Sequence, residues 1–518
     1  MNNQQEPTVY VGITDHLDPE LQAMLLAKYS RSYGTIINRL PTNAAEADKI
    51  KARLKETYQN YGHKSVGQLG TTTIFFEGVS ILAAVAIEVS ELFNGQESST
   101  RYIPFDTQPA VGTDYPQVTH WQEVWRLFYR KALEETIAAV RLKYPYDESM
   151  DATKYANTTK ARAFDICGGI LPAGFTTSVG FTGTFDTLND HISWMSCHPL
   201  QEVREIAHLA ADALAEKYPN AGYSWDKCQQ RSKHLLYNQE MLSDQHVESY
   251  YYREGSFEHD SIYGISNLTR LAQVMQYNNI DDANRLLQRR YPISDDIDHK
   301  GMLSRLTLTC NTWHRAPISP HGVSCHDFDL RNIGRRLQAL NSANRKKYDR
   351  FPRSLSNALR FRAISAMDFR SYRDLHRHRN GNRPFPMLTM KNGPHAYYLD
   401  NLSFDLKSKF LSLWADQEQE FKKMVKDHDS VGRNSLQLAQ QYAIPMAAIV
   451  PYYYECDLNQ QLYLIELRTD KTVHQTLRIE QMAACEQLAS ILPKVKVHAD
   501  MSENNFTLRR GAQTFIEK

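Results

Sequence analysis

The stretch Ser371-Tyr-Arg-Asp-Leu-His-Arg-His-Arg379 concentrates fixed cations and an imidazole at the end of a predicted helix. Arg373 and Arg377 are spaced i, i+4, so they lie on one helix face, and His378 and Arg379 follow directly. The turn at residues 380–382 predicts where this helix ends. Such cations can simply offset the macrodipole of the helix C-terminus. They can also bind an anion beside a group that exchanges protons at neutral pH. The rest of the chain decides between these interpretations.

The segment before this stretch predicts a strand followed by a helix. Residues 359–364 alternate apolar and charged side chains, which is typical of a half-buried strand. Ser365 is a candidate N-cap for a helix over 366–379. A similar plan occurs earlier in the chain, where we predict a strand over 71–77 that ends at Gly78. Ser80 then caps a nearly all-apolar, buried helix over 81–93.

Length and composition indicate a soluble protein of more than one domain. The chain has 518 residues, 42% of them hydrophobic, and a net charge of +1, so no global field attracts nucleic acid or an anionic membrane. Seven cysteines lack metal-ligand spacing, and their odd number argues against a disulfide framework. No metal site is predicted. With no secretory signal and no apolar run long enough to span a bilayer, we predict a cytoplasmic location.

The remaining segments are assigned from periodicity and turn residues. We predict a short strand over 8–12, a Gly/Thr-rich bend over 176–184 and a helix over 458–468. The middle of the chain, roughly residues 220–340, has only short helical patterns, at 265–277 and 281–290. It carries no predicted chemistry, and its histidines are interpreted as surface or hydrogen-bonded residues.

The two ends of the chain share a common order of elements, which predicts an internal repeat. Aligning the first helix of each half places residues 89–91 opposite 377–379, and Leu171-Pro172 then corresponds to Ile444-Pro445. Beyond those prolines, Trp194 and Arg468 lie at nearly the same distance. We predict a first repeat over 1–220, a connecting segment with the start of the second repeat over 221–340, and a second repeat over 341–518.

These residues resemble the flavin-dependent thymidylate synthases, whose signature is Arg-His-Arg-x-x-Ser-x-Asn-Glu-x-Ser-x-Arg-Tyr. Here the signature is divided between the halves. The later half keeps Arg377-His378-Arg379, and the earlier half keeps Glu97-x-Ser99-x-Arg101-Tyr102. Gly62-His63-Lys64-Ser65 resembles the family's Gly-His-x-Ser segment, and Arg468 resembles the arginine of its late helix. The losses are complementary, so a fused pair of repeats could keep one composite site and let the other decay.

The resemblance implies an α+β fold of two related repeats, each a small antiparallel sheet packed with several helices. It implies reductive methylation of dUMP, or a related pyrimidine nucleotide, at C5. FAD is the implied cofactor, and NADPH and methylenetetrahydrofolate are the implied co-substrates. A homo-oligomer is also implied, a dimer that forms a pseudo-tetramer.

Roles for individual residues follow from the same resemblance. Arg377, His378 and Arg379 would face the flavin and carry the catalytic assignment. Arg101 and Arg468 would hold the nucleotide phosphate through forked hydrogen bonds. The remaining assignments complete the nucleotide and cofactor sites: Ser99 donates to phosphate or base, Glu97 accepts from the nucleotide or orients Arg101, Tyr102 stacks on a ring, and His63 and Ser65 contact the cofactor. The glutamine and the serine that usually flank the triplet are Asp374 and Asn382 here.

Two other interpretations stay open at this point. Residues 345–383 contain twelve Lys or Arg and three Asp, and aromatic residues at 348, 351, 361, 369 and 372 lie among them. This mixture also suits nucleic-acid binding through phosphate contacts and base stacking. The other interpretation is a non-catalytic relative that binds a nucleotide for regulation.

Overall fold

The computed structural model describes residues 9–30, 35–99, 105–148, 151–231, 307–312, 344–356, 359–382, 388–427 and 430–502. The helices are α1 (Pro19–Tyr29), α2 (Ala44–Leu54), α3 (Lys64–Gly67), α4 (Ile81–Glu88), α5 (Pro116–Lys143), α6 (Ala152–Cys167), α7 (Phe185–Met195), α8 (Gln201–Lys217), α9 (Arg353–Ser356), α10 (Phe369–His376), α11 (Ala396–Asp400), α12 (Phe404–Lys426), α13 (Ser430–Gln440), α14 (Leu458–Arg468) and α15 (Gln475–Ile491). The strands are β1 (Thr71–Ser80), β2 (Asn94–Glu97), β3 (Thr176–Thr184), β4 (Thr307–Thr312), β5 (Leu359–Asp368), β6 (Gly381–Asn382) and β7 (Ile449–Asp457).

The strands form two small sheets. One has the order β1-β3-β2 and the other the order β4-β5-β7-β6. In the second sheet every neighbouring pair is antiparallel, and β5 pairs with β7 along nine residues, from Arg360 opposite Asp457 to Asp368 opposite Ile449. The described residues thus combine many helices with two small sheets, which confirms the predicted α+β class.

The same series of elements occurs twice. The order β1-α4-β2-α5-α6-β3-α7-α8 recurs as β5-α10-β6-α12-α13-β7-α14-α15, with the short helix α11 inserted before α12. Equivalent elements have equal lengths: β1 and β5 have 10 residues, α4 and α10 have 8, β3 and β7 have 9, α7 and α14 have 11, and α8 and α15 have 17. Five matched lengths in one order support the tandem repeat. The predicted boundaries at residues 220 and 340 stay a prediction.

The two repeats pair with each other at the proline landmarks. Pro172 and Pro445 form an isolated antiparallel bridge. The hydrogen bonds on either side are reciprocal, since Ala173 N donates to Ile444 O at 3.0 Å and Met446 N donates to Leu171 O at 2.9 Å. The two donors are 273 positions apart in the chain, and so are the two acceptors. This is the relation expected of a local two-fold axis.

The chain divides into two compact units. Unit 1 comprises the described residues of Met1–Phe76, Leu92–Gln96 and Val179–Asn238, and unit 2 those of Glu77–Glu91, Glu97–Ser178 and Gln239–Lys518. In unit 1 the buried carboxylate of Glu20 accepts hydrogen bonds from the backbone N–H groups of Asn220 and Ala221 at 2.7 and 2.9 Å. Unit 2 contains the proline bridge, the second sheet and both α4 and α10.

The two equivalent helices α4 and α10 begin at capped positions in unit 2. Ser80 Oγ accepts from Ala83 N at 3.0 Å, which confirms the predicted cap of α4. In α10 the predicted cap Ser365 was wrong, because β5 continues to Asp368, whose carboxylate accepts from Ser371 N at 2.9 Å. Both helices are shorter than predicted and end at Glu88 and His376 rather than at 93 and 379.

The predicted strands agree less well with the structure. Residues 9–12 form no strand, and β1 continues through Gly78, whose positive φ of 70° the missing Cβ permits. The predicted bend at 176–184 is strand β3, in which Val179 and Phe181 alternate with more exposed neighbours. The helical patterns at 265–277 and 281–290 lie outside the described residues. Among the described helices, none is long and apolar enough to cross a membrane.

Candidate functional site

A carboxylate from the first repeat pairs with two guanidinium groups from the second. Glu97, at the end of β2, accepts from Arg373 through Oε1 and from Arg377 through Oε2. The side chain of Glu97 is 1% exposed and that of Arg373 is 4% exposed. The loop after β2 is anchored because Ser98 N donates to Ser178 O at 2.9 Å. Glu97 of the earlier half of the signature and Arg377 of the later half therefore meet within unit 2.

His378 joins this cluster to the late helix α14. Arg468, the last residue of α14, donates from Nε to His378 Nε2 at 2.9 Å. A ring nitrogen that accepts carries no proton, so His378 is neutral and holds its proton on Nδ1. The amide of Gln460 lies 3.3 Å from Nδ1, and rotation of this amide presents its oxygen to that proton. Tyr454 fixes the backbone by donating from its hydroxyl to His378 O at 3.1 Å.

Asp374 lies between the two partly exposed guanidinium groups. Its Oδ1 is 3.7 Å from Arg377 Nη1 and its Oδ2 is 4.0 Å from Arg468 Nη1. Arg468 also donates from Nη2 to the backbone oxygen of Asp374 at 3.0 Å. A carboxylate at this position holds both arginines in place, and it competes with an incoming anion for their charge.

Exposure separates the arginines that can reach a ligand from the one that cannot. The Arg377 and Arg468 side chains are 33% and 17% exposed. Arg373 is buried against Met446 Sδ at 3.7 Å, and its Nε has no hydrogen-bond acceptor among the residues that the structure describes. Arg373 therefore holds Glu97, while Arg377 and Arg468 present cationic edges to solvent.

Glu88, the last residue of α4, is a second buried carboxyl group beside Arg377. Its Oε2 lies 3.6 Å from Arg377 Nε, and the residue is 2% exposed. Burial, reinforced by the charge of Glu97, raises the pKa of Glu88 to about 7, although Arg377 and Arg373 act to lower it. Burial acts to lower the pKa of Arg377, but Glu97, Glu88 and Asp374 together raise it. Arg377 therefore keeps its charge while Glu88 titrates near neutrality.

We expect Glu88 to make stability fall between about pH 4.5 and pH 7. Its carboxyl is protonated in both states below the ordinary pKa of 4.5. Above that pH the unfolded state loses the proton first, so the native state loses stability until pH passes about 7. Glu88→Gln removes this titration. Between pH 4.5 and pH 8 the free energy of unfolding of the variant should therefore rise by about 3 kcal/mol relative to that of wild type. Urea unfolding across this range measures it. The exposed Glu91→Gln is the control, and equal pH profiles for wild type and Glu88→Gln would contradict the expectation.

The other predicted site residues fall into three groups. Arg101 and Tyr102 lie outside the described residues. Ser99 and Arg379 are half-buried and lie in unit 2. His63 and Ser65 belong to unit 1, where both are exposed at the start of α3. The predicted roles of all these residues stay predictions.

Several residues of the cluster escaped prediction. Glu88 is the one charged residue in the otherwise apolar α4, and this was a signal that sequence reasoning passed over. Glu97 was predicted to contact the nucleotide or Arg101, and its observed pairing with Arg373 and Arg377 was not foreseen. The equal lengths of α7 and α14 also place Met195, rather than Trp194, opposite Arg468.

The structure weakens the nucleic-acid interpretation of residues 345–383. Four of the five aromatic residues are buried, and only Tyr348 is exposed, at 42%. Four of the arginines in this segment also pair with carboxylates. These are Arg345 with Glu466, Arg370 with Asp165, Arg373 with Glu97, and Arg377 with Glu97 and Glu88. Buried rings cannot stack on bases, and paired arginines offer less charge to phosphates.

The reverse pairing would join helix α4 of the first repeat to the position in the second repeat that corresponds to Glu97. The residues at these positions carry no charge. The caps of α4 and α10 differ by 288 positions, so Val85 corresponds to Arg373 and Val89 to Arg377. By the same offset, Phe385 corresponds to Glu97. Both sides of this reverse pairing are apolar. The charged cluster of Glu97, Arg373 and Arg377 therefore has no charged counterpart at the equivalent positions of the sequence.

Comparison with known proteins shows what the first part of the chain is similar to. A family model described as thymidylate synthase complementing protein matches residues 13–220. Residues 13–220 are therefore similar to this family. The match covers about two fifths of the chain and includes Glu97, and it confirms the resemblance to thymidylate synthases.

Relatives extend over both repeats. A UPF0159 protein of Chlamydia pneumoniae is 22% identical over 88% of this chain and 82% of its own length. UPF0159 proteins of Chlamydia muridarum and Thermoplasma acidophilum are 23% and 20% identical, over 85% and 91% of this chain and 79% and 93% of their own lengths. These names state no activity, but the alignments show that the two-repeat chain is not peculiar to this protein.

Proposed function

We propose that this protein is a flavin-dependent methyltransferase of the thymidylate synthase type, with one composite site in each chain. It would methylate dUMP, or a related pyrimidine nucleotide, at C5, using methylenetetrahydrofolate and NADPH. The observation that supports this proposal is the cluster in which Glu97 of the first repeat holds Arg373 and Arg377 of the second. Random loss of function would not preserve the two complementary halves of one site.

The residues present fit a flavin. Arg377 keeps a raised pKa and a partly exposed edge, so it offers a permanent cation to an anionic ring or phosphate. The cluster has three arginines, Arg373, Arg377 and Arg468, and two carboxyl groups, Glu97 and Asp374, besides Glu88, which burial keeps protonated up to about pH 7. The surplus positive charge suits a bound anion.

The residues of the candidate site have separate tasks in the proposed reaction. Bound FAD, once reduced by NADPH, would supply the hydride that reduces the one-carbon unit transferred from methylenetetrahydrofolate. Arg377 would bind and stabilise the anionic form of the ring, and the imidazole of His378, held in place by Arg468, would lie beside it. Arg468 and Arg101 would hold the nucleotide phosphate, with Ser99 as a further donor and Tyr102 as a stacking ring. No side chain is assigned as a nucleophile.

The purified protein should bind FAD and show the two absorption bands of oxidised flavin. Arg377→Ala should weaken FAD binding about 10- to 100-fold, because hydrogen bonds to charged groups contribute about 1.5–3 kcal/mol. Titration followed by flavin fluorescence measures the affinity. Arg130→Ala removes an arginine that is half exposed and pairs with Asp106, and it should leave the affinity unchanged. A protein that stays colourless after incubation with FAD would contradict the proposal.

A second candidate is a relative that binds a nucleotide without turnover. Asp374 favours it, because a carboxylate stands where the family has glutamine and already occupies Arg377 and Arg468. This candidate expects dUMP to raise the melting temperature while no dTMP forms. Formation of dTMP from dUMP, methylenetetrahydrofolate and NADPH excludes it.

We also propose a cytoplasmic homo-oligomer. The tandem chain provides two family-like units, so a dimer of chains would form a pseudo-tetramer. Sedimentation of the full chain tests this assembly, and a monomer at micromolar concentration would contradict it.

A further inference from the structure

Two exposed tyrosine rings lie next to the cluster, and neither has a role in the proposed chemistry. Tyr463 of α14 is 43% exposed and Tyr348 is 42% exposed. Their ring centroids are 5.6 Å apart, and the ring of Tyr463 lies 5.8 Å from that of His378. A row of three rings therefore leads from His378 outward to solvent. We call Tyr348 and Tyr463 the tyrosine pair.

Tyr348 has a backbone conformation that a large side chain rarely adopts. Its φ is 70°, and it is the only non-glycine residue with positive φ in the part of the chain that the structure describes. Asp349 N donates to Lys346 O at 3.1 Å, so Tyr348 is the third residue of a β-turn, the position where a type II turn favours glycine. Strain of this kind persists where surrounding contacts enforce it, and it is concentrated at ligand sites.

A buried ion pair enforces this strained turn. Glu466 is completely buried and pairs with Arg345, and it also accepts from Tyr348 N at 2.7 Å. His498 N donates to the same carboxylate at 3.0 Å. Glu466 precedes Arg468 by two residues in α14, so one buried group holds the turn of Tyr348 and the helix end that carries Arg468.

The charges around the tyrosine pair indicate which ligand it suits. Lys347 Nζ lies 5.1 Å from the centre of the Tyr348 ring, and the neighbouring Lys346 is also exposed. Asp349 uses its carboxylate to accept from Lys346 N at 2.9 Å. Aromatic rings with adjacent cations bind planar heterocycles that carry negative charge.

We propose that the tyrosine pair binds a planar aromatic ring with an anionic tail, as the outer part of a ligand whose reactive ring lies at Arg377 and His378. This inference rests on the proposed function, in which two ligands have such a part. One is FAD, with its adenine and pyrophosphate, and the other is the folate, with its aminobenzoyl ring and glutamate. The tyrosine pair thus determines how tightly the full-length ligand binds compared with a truncated one.

The test compares full-length and truncated ligands on the full chain. Affinities for FAD and FMN, and for folate and pterin-6-carboxylate, are measured by fluorescence titration. We expect wild type to prefer the full-length member of one pair about 5- to 100-fold, the range that ring stacking supplies. The preferred pair identifies the ligand. Tyr463→Ala and Tyr348→Gly should each remove most of this preference, and Tyr29→Ala, which removes an exposed ring in unit 1, should keep it.

Tyr348→Gly separates a binding role from a structural one. Glycine adopts positive φ without strain, so this variant should fold and melt at or above the wild-type temperature. Equal affinities within both pairs in wild type, or a preference that survives both substitutions, would overturn the inference. Binding of FAD and FMN with equal affinity would leave the proposed function standing while it removes the flavin arm of the inference. If no flavin binds but folate is still preferred over pterin-6-carboxylate, the proposed function fails while the tyrosine pair stands as the site of the folate tail.

Discussion

Replacement of Glu97 by alanine should lower the free energy of unfolding by about 3–5 kcal/mol, which is the cost of removing one partner of a buried ion pair. The Glu97 carboxylate is 1% exposed and holds Arg373, which is 4% exposed. Without it, the Arg373 guanidinium is left buried with only Met446 Sδ beside it among the contacts described. Water cannot hydrate that charge without opening the interior. Urea or thermal unfolding measures the loss.

Two variants test the physical reason for this loss. Glu91→Ala removes an exposed carboxyl group nearby in the chain and should change the stability by less than about 0.5 kcal/mol. Glu97→Leu combined with Arg373→Met removes both charges, and it should recover most of the stability that Glu97→Ala loses. A loss below about 1 kcal/mol for Glu97→Ala would show that the pair contributes no more than a surface ion pair.

Arg468→Ala should weaken binding of dUMP about 10- to 100-fold. This substitution removes the proposed phosphate contact, worth about 1.5–3 kcal/mol for a charged hydrogen bond, and it also frees His378, whose Nε2 Arg468 holds at 2.9 Å. Isothermal titration with dUMP measures the affinity. The dUMP-induced rise in melting temperature should shrink in parallel.

Asp374→Asn should act in the opposite direction. The Asp374 carboxylate lies 3.7 Å from Arg377 and 4.0 Å from Arg468, so its neutralisation frees positive charge for the phosphate. We therefore expect dUMP to bind several-fold more tightly to this variant. Arg141→Ala, an exposed arginine of α5, is the control and should change nothing. If Arg468→Ala binds dUMP as well as wild type does, the nucleotide site has been placed wrongly.

Local sequence rules succeeded where a neighbouring residue decides the structure. Ser80 was recognised as the cap of α4 because a cap needs only a side-chain oxygen and an N–H three residues away. The same rule chose Ser365 for α10 and was wrong, because pairing of β5 with β7 extends the strand to Asp368. Strand β3 was missed for the same reason, since its glycines favour a bend locally and only its neighbours in the sheet make it a strand.

The cap of α4 and the resemblance that divides one signature between the two halves came from the sequence alone, because each depends on residue types at fixed spacings along the chain. The partners of Glu97, the neutral state of His378 and the position of Glu88 beside Arg377 were decided by the tertiary structure. These contacts join residues more than 80 positions apart. They depend on the close approach of α4 to α10 and on the contact between the end of α14 and His378, and a low-dielectric interior then sets the charges of the groups enclosed there.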